Sequence, residues 1–361
     1  MRIQLVAGLL CCTACSAVPS DLPASQSQPV IYDDDGRKEP YELDDPRVRA
    51  LVARSVVALL PKSAIHPATS ALRSDAALRS DIDDTACSGE RFFDQPAAAV
   101  CSGVLVDWDL VLTAAHCTRA LPLADLIVVF GYYYRAPAEL ALSREGAFEV
   151  DEIVLRRVTL EGELATRDYA WLRLARRAAA PYQPVAIRIS DTARRAGSSI
   201  LYAGAYEGSP LKVDQGARVR EAGPSRPYFV ADTDSAHGGS GGGAFDADLS
   251  LLGTLFRGGA DRVAGETCSA VRRVSSDLAE ERFASASAAL ADLCEQDPSA
   301  SSLCRRDCLD PCEALPPRAD GCALALGERA TSGPASGLYA LLFLLSVRIR
   351  ARRDHRTRAV S

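Results

Sequence analysis

The sequence predicts an all-β sandwich or barrel for its central part, and three observations carry that prediction. Between residues 97 and 256, short apolar runs alternate with turn residues, as in "AAVCSGVLV", "DLVLTAA", "DLIVVFGYY", "FEVDEIVL", "SILYAGA", "PYFVA" and "LLGTLF". No long helical pattern interleaves them. The one stretch with helical spacing comes after them, at 275–294, with Leu278, Phe283, Ala286 and Leu290 on one face.

The elements follow in chain order. Residues 1–17 pair Arg2 with the apolar run Ile3–Leu10 and small residues, the pattern of a secretory signal too short to span a membrane. Cys15 in "CTAC" is also an imperfect lipidation site. Residues 18–46 are polar and rich in Asp, Ser and Pro, and read as a propeptide or an extended N-terminal arm. "ARSVVALLP" (53–61) is the first strand, and 62–90, which holds Cys87, reads as a surface insertion. The core domain is expected over 47–294. A Cys-rich linker or stalk follows over 295–330, and an apolar tail with an Arg cluster over 331–361.

In the tail, "SGLYALLFLLSV" runs straight into "RIRARR", the pattern of a membrane anchor with its arginines inside. In "CRRDCLDPC" the cysteines stand four apart, which suits either zinc ligation or a disulfide-stapled stalk. The chain has twelve cysteines, of which Cys11, Cys12 and Cys15 fall in the leader region, so the exported part carries an odd number. An apolar fraction of 48% allows a sizeable core, and a net charge of −6 gives no reason to expect nucleic acid.

Catalytic chemistry can be sought among four histidines. His66 and His355 lie in polar surroundings and read as surface residues. His116 lies in "CSGVLVDWDLVLTAAHC", where a disulfide between Cys101 and Cys117 would pin its loop to the preceding strand. A general base needs such a fixed orientation. "TRDYAWLRL" supplies Asp168 as the carboxylate to hold the imidazole. "DTDSAHGGSGGGAF" supplies Ser240 as nucleophile, with the N–H groups of Gly238 and Ser240 as oxyanion donors. The order His116, Asp168, Ser240 is that of the chymotrypsin double β-barrel, and not of α/β-hydrolases or subtilisins.

"SGVLVDWDLVLTAAHC", "DYAWLRL" and "GGSGG" match, in order, the signature blocks of chymotrypsin/trypsin-like serine proteases, a family the chain resembles over roughly residues 50–294. "IYDDDGRKEPYEL" is similar to the N-terminal region of bacterial trypsin-like and glutamyl-endopeptidase-like secreted proteases. The resemblance implies a double six-stranded β-barrel with a C-terminal helix. It also implies a secreted serine endopeptidase that acts on protein or peptide substrates without metal or organic cofactor. A monomer is expected, with membrane contact only through the tail. Gly321-Cys322 followed by the apolar run and arginines resembles the C-terminal sorting tails of myxobacterial surface proteins, which would make Cys322 the odd cysteine.

The chain also departs from the family. Gly239 replaces the acid that in vertebrate members captures the new N-terminus after zymogen cleavage, and Gly243 replaces a proline. "FRG", with Phe256 and Gly258, stands where Ser-Trp-Gly lines the family's substrate cleft. Asp234, six residues before Ser240, is either the base of an S1 pocket, with His237 at its entrance, or a loop acid bonded to backbone. These departures keep a second function in view, a catalytically weak or inactive protease-like surface binding module.

Overall fold

The structure, a computed structural model, describes residues 30–305 apart from 67, 69–70, 74–86, 88, 163, 191–193, 224–225, 259–261 and 266. They lie in the first of two compact units, Met1–Cys322; the second, Ala323–Ser361, is outside the described residues. The leader, the CRRDCLDPC cysteines Cys308 and Cys312, Cys322 and the apolar tail therefore fall outside the described residues. Among the described residues no helix is long and apolar enough to cross a membrane.

The described residues open with β1 (Val30–Tyr32) and β2 (Arg37–Lys38), then helix α1 (Pro46–Ser55) and β3 (Val56–Pro61). The sequence places a strand over 53–61, but its first residues close α1 instead. The helix starts there because Asp45 caps it, accepting from Arg47 N–H, and Pro46 takes the first position. Val48, Leu51, Val52 and Ser55 form its buried face, the spacing of an amphipathic helix.

Strands β4 (Cys101–Asp107), β5 (Leu110–Thr113), β6 (Leu126–Val129), β9 (Ala147–Glu161) and β10 (Leu164–Leu174) follow, with a small hairpin β7–β8 (Tyr134–Ala136, Glu139–Leu140) between them. They close with β3 into a barrel in the order β10-β5-β4-β3-β6-β9. The apolar runs of β3, β4 and β5 are buried almost throughout, as strands inside a closed core are.

The second half carries β11 (Leu201–Tyr206), β12 (Ser209–Asp214), β13 (Val219–Glu221), β14 (Tyr228–Ala231), β15 (Gly243–Phe245), β16 (Leu251–Arg257), β17 (Arg262–Ala264), β18 (Ser269–Val274) and β19 (Glu281–Ser285). The expected second six-stranded barrel is here an eight-stranded sheet, β13-β14-β19-β16-β15-β11-β12-β2, and its last strand comes from the N-terminal arm. Strand β1 pairs in parallel with β18, so the arm is held at two places. Residues 30–46 are thus part of the folded body, with Ile31, Tyr32 and Leu43 buried, and the domain begins before residue 47.

The helix expected over 275–294 is shorter. Residues 281–285 pair as β19 between β14 and β16, and helix α3 (Ala286–Gln296) begins only after Ser285 caps Ala288 N–H. Cross-strand burial of Phe283 against Leu255 and Phe229 outweighs the local helical pattern. The body also extends past 294. Cys294 is bonded to Cys304, which excludes zinc for this pair, and Asp107 accepts from Ser301 Oγ (2.6 Å), Ser302 Oγ (2.9 Å) and Ser302 N–H (3.2 Å).

Burial alone would raise the Asp107 pKa, but these bonds and one from Trp108 N–H outweigh it and hold the carboxyl below its ordinary range. A lowered pKa stabilises the fold above the unfolded value and is lost as pH falls. Asp107→Ala is expected to cost about 1–3 kcal/mol at neutral pH by leaving buried donors unpaired. That cost should shrink in urea titrations run below about pH 4; a cost that grows on acidification would contradict the account.

Candidate active site

The β4–β5 hairpin and the Cys101–Cys117 disulfide fix the first catalytic candidate. His116 ends the loop after β5 and opens the one-turn helix α2 (Cys117–Ala120). In β10, Ala170 pairs with Thr113, which brings Asp168 beneath this loop. Asp168 Oδ1 accepts from His116 N–H (3.1 Å), and His116 Nδ1 lies 3.2 and 3.1 Å from the two carboxylate oxygens. The carboxylate side chain is 5% exposed and the imidazole 24%. A carboxylate facing Nδ1 makes that nitrogen the proton carrier and leaves the Nε2 lone pair free to act as base.

Ser240 is the second residue of the latter of two consecutive tight turns. Gly239 N–H donates to Ala236 O and Gly242 N–H to Gly239 O, both at 2.8 Å. The third residue of each turn has positive φ, +83° at Gly238 and +84° at Gly241, as a type II turn requires. Space makes the same demand, since a Cβ at Gly241 would lie 2.0 Å from Ser102 O. Ser102 N–H donates to Ser240 O (2.7 Å), and Cys117 Sγ lies 3.7 Å from the same oxygen. Ser240 and His116 therefore flank one disulfide. Among the described residues no hydrogen bond joins their side chains, and in unliganded hydrolases such bonds are often long. The N–H groups of Gly238 and Ser240 have no acceptor among the described residues, whereas those of Gly239, Gly241 and Gly242 are all used.

The remaining candidates are dispersed. Phe256 is fully buried, edge-on to Tyr228, so it offers no surface to a substrate. Gly258 is half-buried just beyond β16. His237 is exposed; the chain around it and, secondarily, the neighbouring His116 lower its pKa. Asp234 is buried, and its two oxygens accept from Tyr32 N–H and Gly36 N–H, both at 2.7 Å. Of the two readings of Asp234, these contacts are those of the loop acid, with the N-terminal arm as its partner. Its own N–H donates to Asp214 Oδ2 (3.0 Å). Sequence reasoning missed that contact, and it missed Tyr202, whose hydroxyl donates to Gly239 O (2.9 Å). It also missed the Cys87–Cys268 disulfide, which ties the insertion to the turn before β18. No local motif signals any of the three.

Residues 101–253 match the family model of the trypsin-like peptidase domain. That segment holds His116, Asp168 and Ser240, and the match supports a trypsin-like peptidase acting on peptides or proteins. No curated protein matches the chain in sequence. Among solved structures, the chain is similar to the Rv3671c protease of M. tuberculosis in its active form, at 18% identity over 77% of this chain and 93% of that one, with TM-score 0.39. It is also similar to the VesB protease of Vibrio cholerae, at 14% identity over 66% of this chain and 62% of that one, with TM-score 0.41.

Burial and, next, the Asp214 carboxylate push the Asp234 pKa up from 3.8 to about 7. A carboxyl whose folded pKa is raised binds more protons folded than unfolded, so its contribution to stability falls as pH rises from about 4 to about 7. The difference in unfolding free energy between wild type and Asp234→Asn is expected to move against wild type across that window and to flatten above it. A difference that moves the other way in urea titrations would rule this out.

Proposed function

We propose that the chain is an exported serine endopeptidase. Ser240 Oγ attacks the peptide carbonyl as His116 Nε2 takes its proton. The oxyanion receives the N–H groups of Gly238 and Ser240. Collapse breaks the C–N bond, and the proton on Nε2 passes to the leaving amine. Water, deprotonated by the same nitrogen, then hydrolyses the acyl-enzyme and restores Ser240. Asp168 keeps the ring in the right tautomer and stabilises the imidazolium.

The observation that carries this reading is the pairing of His116 with buried Asp168, beside a serine loop in which the N–H groups of Gly238 and Ser240 have no acceptor among the described residues. Export is supported by the leader 1–17 and by three disulfides, Cys87–Cys268, Cys101–Cys117 and Cys294–Cys304, a set that persists in oxidising compartments. The tail 331–361 would then serve as anchor or sorting signal, and the enzyme would act as a monomer. The second reading, a binding module of weak or no activity, draws on the absent His116–Ser240 hydrogen bond.

A fluorophosphonate probe should label Ser240 in the wild type and nothing in Ser240→Ala. His116→Ala should lower kcat by about 10⁶ and Asp168→Asn by about 10⁴. A folded, unlabelled protein that still binds peptides would favour the binding module. Because Asp234 is spent on the arm, cleavage of a randomised peptide library should show no preference for Arg or Lys at the residue before the scissile bond. A strict basic preference would mean that the arm leaves Asp234 during catalysis.

A further inference from the structure

The loop carrying Ser240 is nearly all glycine, and glycine peptides rotate easily. An oxyanion hole needs its donors preorganised, so something outside the loop must hold them. The Ser240 N–H belongs to the same planar trans unit as the Gly239 carbonyl, and the two point in opposite directions. Whatever holds that carbonyl aims that N–H. Gly242 N–H reaches that oxygen from within the turn at 2.8 Å, and Tyr202 holds it from outside the loop: its hydroxyl donates to Gly239 O at 2.9 Å from β11, with the ring buried edge-on against Phe283.

The surroundings are built for this hydroxyl. A Cβ at Gly204, Gly239 or Gly242 would lie 2.3, 2.5 or 2.8 Å from Tyr202 Oη. None of the three has positive φ, so the backbone conformation does not explain why they are glycine. Clearance does: a side chain at any of them would crowd the hydroxyl, and at Gly239 and Gly242 it would also meet the backbone carbonyls of Ala236 and Ala203, each at 2.8 Å. The same opening accounts for Gly239 in particular, where an acid would collide with Tyr202. Burial, foremost, and then the Glu281 and Asp214 carboxylates raise the Tyr202 pKa, so the hydroxyl stays protonated as a donor.

We propose that Tyr202 is a positioning residue of the peptidase, a neutral lock that fixes the Gly239–Ser240 peptide with the Ser240 N–H aimed at the oxyanion. The proposal rests on the reading of Ser240 as the nucleophile. It also means that ordering this loop requires no ion pair at position 239.

Tyr202→Phe keeps the packing against Phe283 and removes only the hydroxyl. The full protein carrying it should lose about tenfold or more in kcat, towards the 10²–10³ typical of a lost oxyanion donor. KM should stay within about twofold of the wild-type value. Affinity for a peptide aldehyde, which forms a tetrahedral adduct on the serine, should fall in proportion to kcat/KM, while the thermal midpoint changes little. Unchanged kcat and aldehyde affinity, or a loss confined to KM and stability, would overturn the proposal.

If the variant does not fold, the wild-type crystal structure with the aldehyde decides. Gly239 O should remain on Tyr202 Oη with the adduct oxygen on Ser240 N, and a carbonyl turned away would overturn it. If fluorophosphonate fails to label the folded wild type, the peptidase reading falls separately. The crystal structure of Tyr202→Phe then decides the lock: a rotated Gly239–Ser240 peptide upholds it, and an unmoved one overturns it.

Discussion

The site depends on what Ser102 ties together at the start of β4. Its N–H holds Ser240 O at 2.7 Å, its Oγ donates to Gly238 O at 3.0 Å and accepts from Ala205 N–H at 2.8 Å, and its carbonyl accepts from Thr113 Oγ1 at 2.6 Å. One small residue thus joins the nucleophile loop, the start of the His116 loop and the second sheet. The adjacent Cys101–Cys117 bond closes the junction covalently. Two β-systems can present a catalytic set only if their relative position is fixed to a fraction of an ångström. A backbone seam buried at their contact does this better than surface side chains could.

The nucleophile loop shows the other side of that requirement. Glycines allow two turns in succession, but they leave the loop without side chains to hold its shape. Beyond its own two turn bonds, its order is imposed from outside, by Ser102 on one flank and Tyr202 on the other. Both use neutral hydroxyl groups on backbone carbonyls, which cost less to bury than charges.

The N-terminal arm brings buried charge into the same region. Arg37 is bonded to Asp35 (2.6 Å) and lies over the Tyr206 ring, and Lys212 lies 3.3 Å from Glu39 and donates to Gln95 (2.9 Å). Buried ion pairs add little net stability, but breaking one is expensive, so they specify where a segment must lie. Here they fix the arm so that its backbone meets Asp234.

The sequence by itself determined the β-rich class, singled out His116, Asp168 and Ser240 as candidates in that order, and pointed to the disulfide around the histidine. Those are read from residue type, alternation, local motifs and, for the cysteine pair, a spacing of sixteen positions. It did not reveal α1, although Asp45 and Pro46 mark its start, because the apolar run that follows masked the helical face. It could not separate β19 from α3, since residues 281–285 fit helical spacing until β14 and β16 claim them. Only the tertiary structure decided what Asp234 does, because its partners lie 202 and 198 positions away. The same holds for Tyr202, which reaches Gly239 across 37 positions. Such contacts have no local signature. Their energy comes from burying a polar group that must then find a partner wherever the fold brings one.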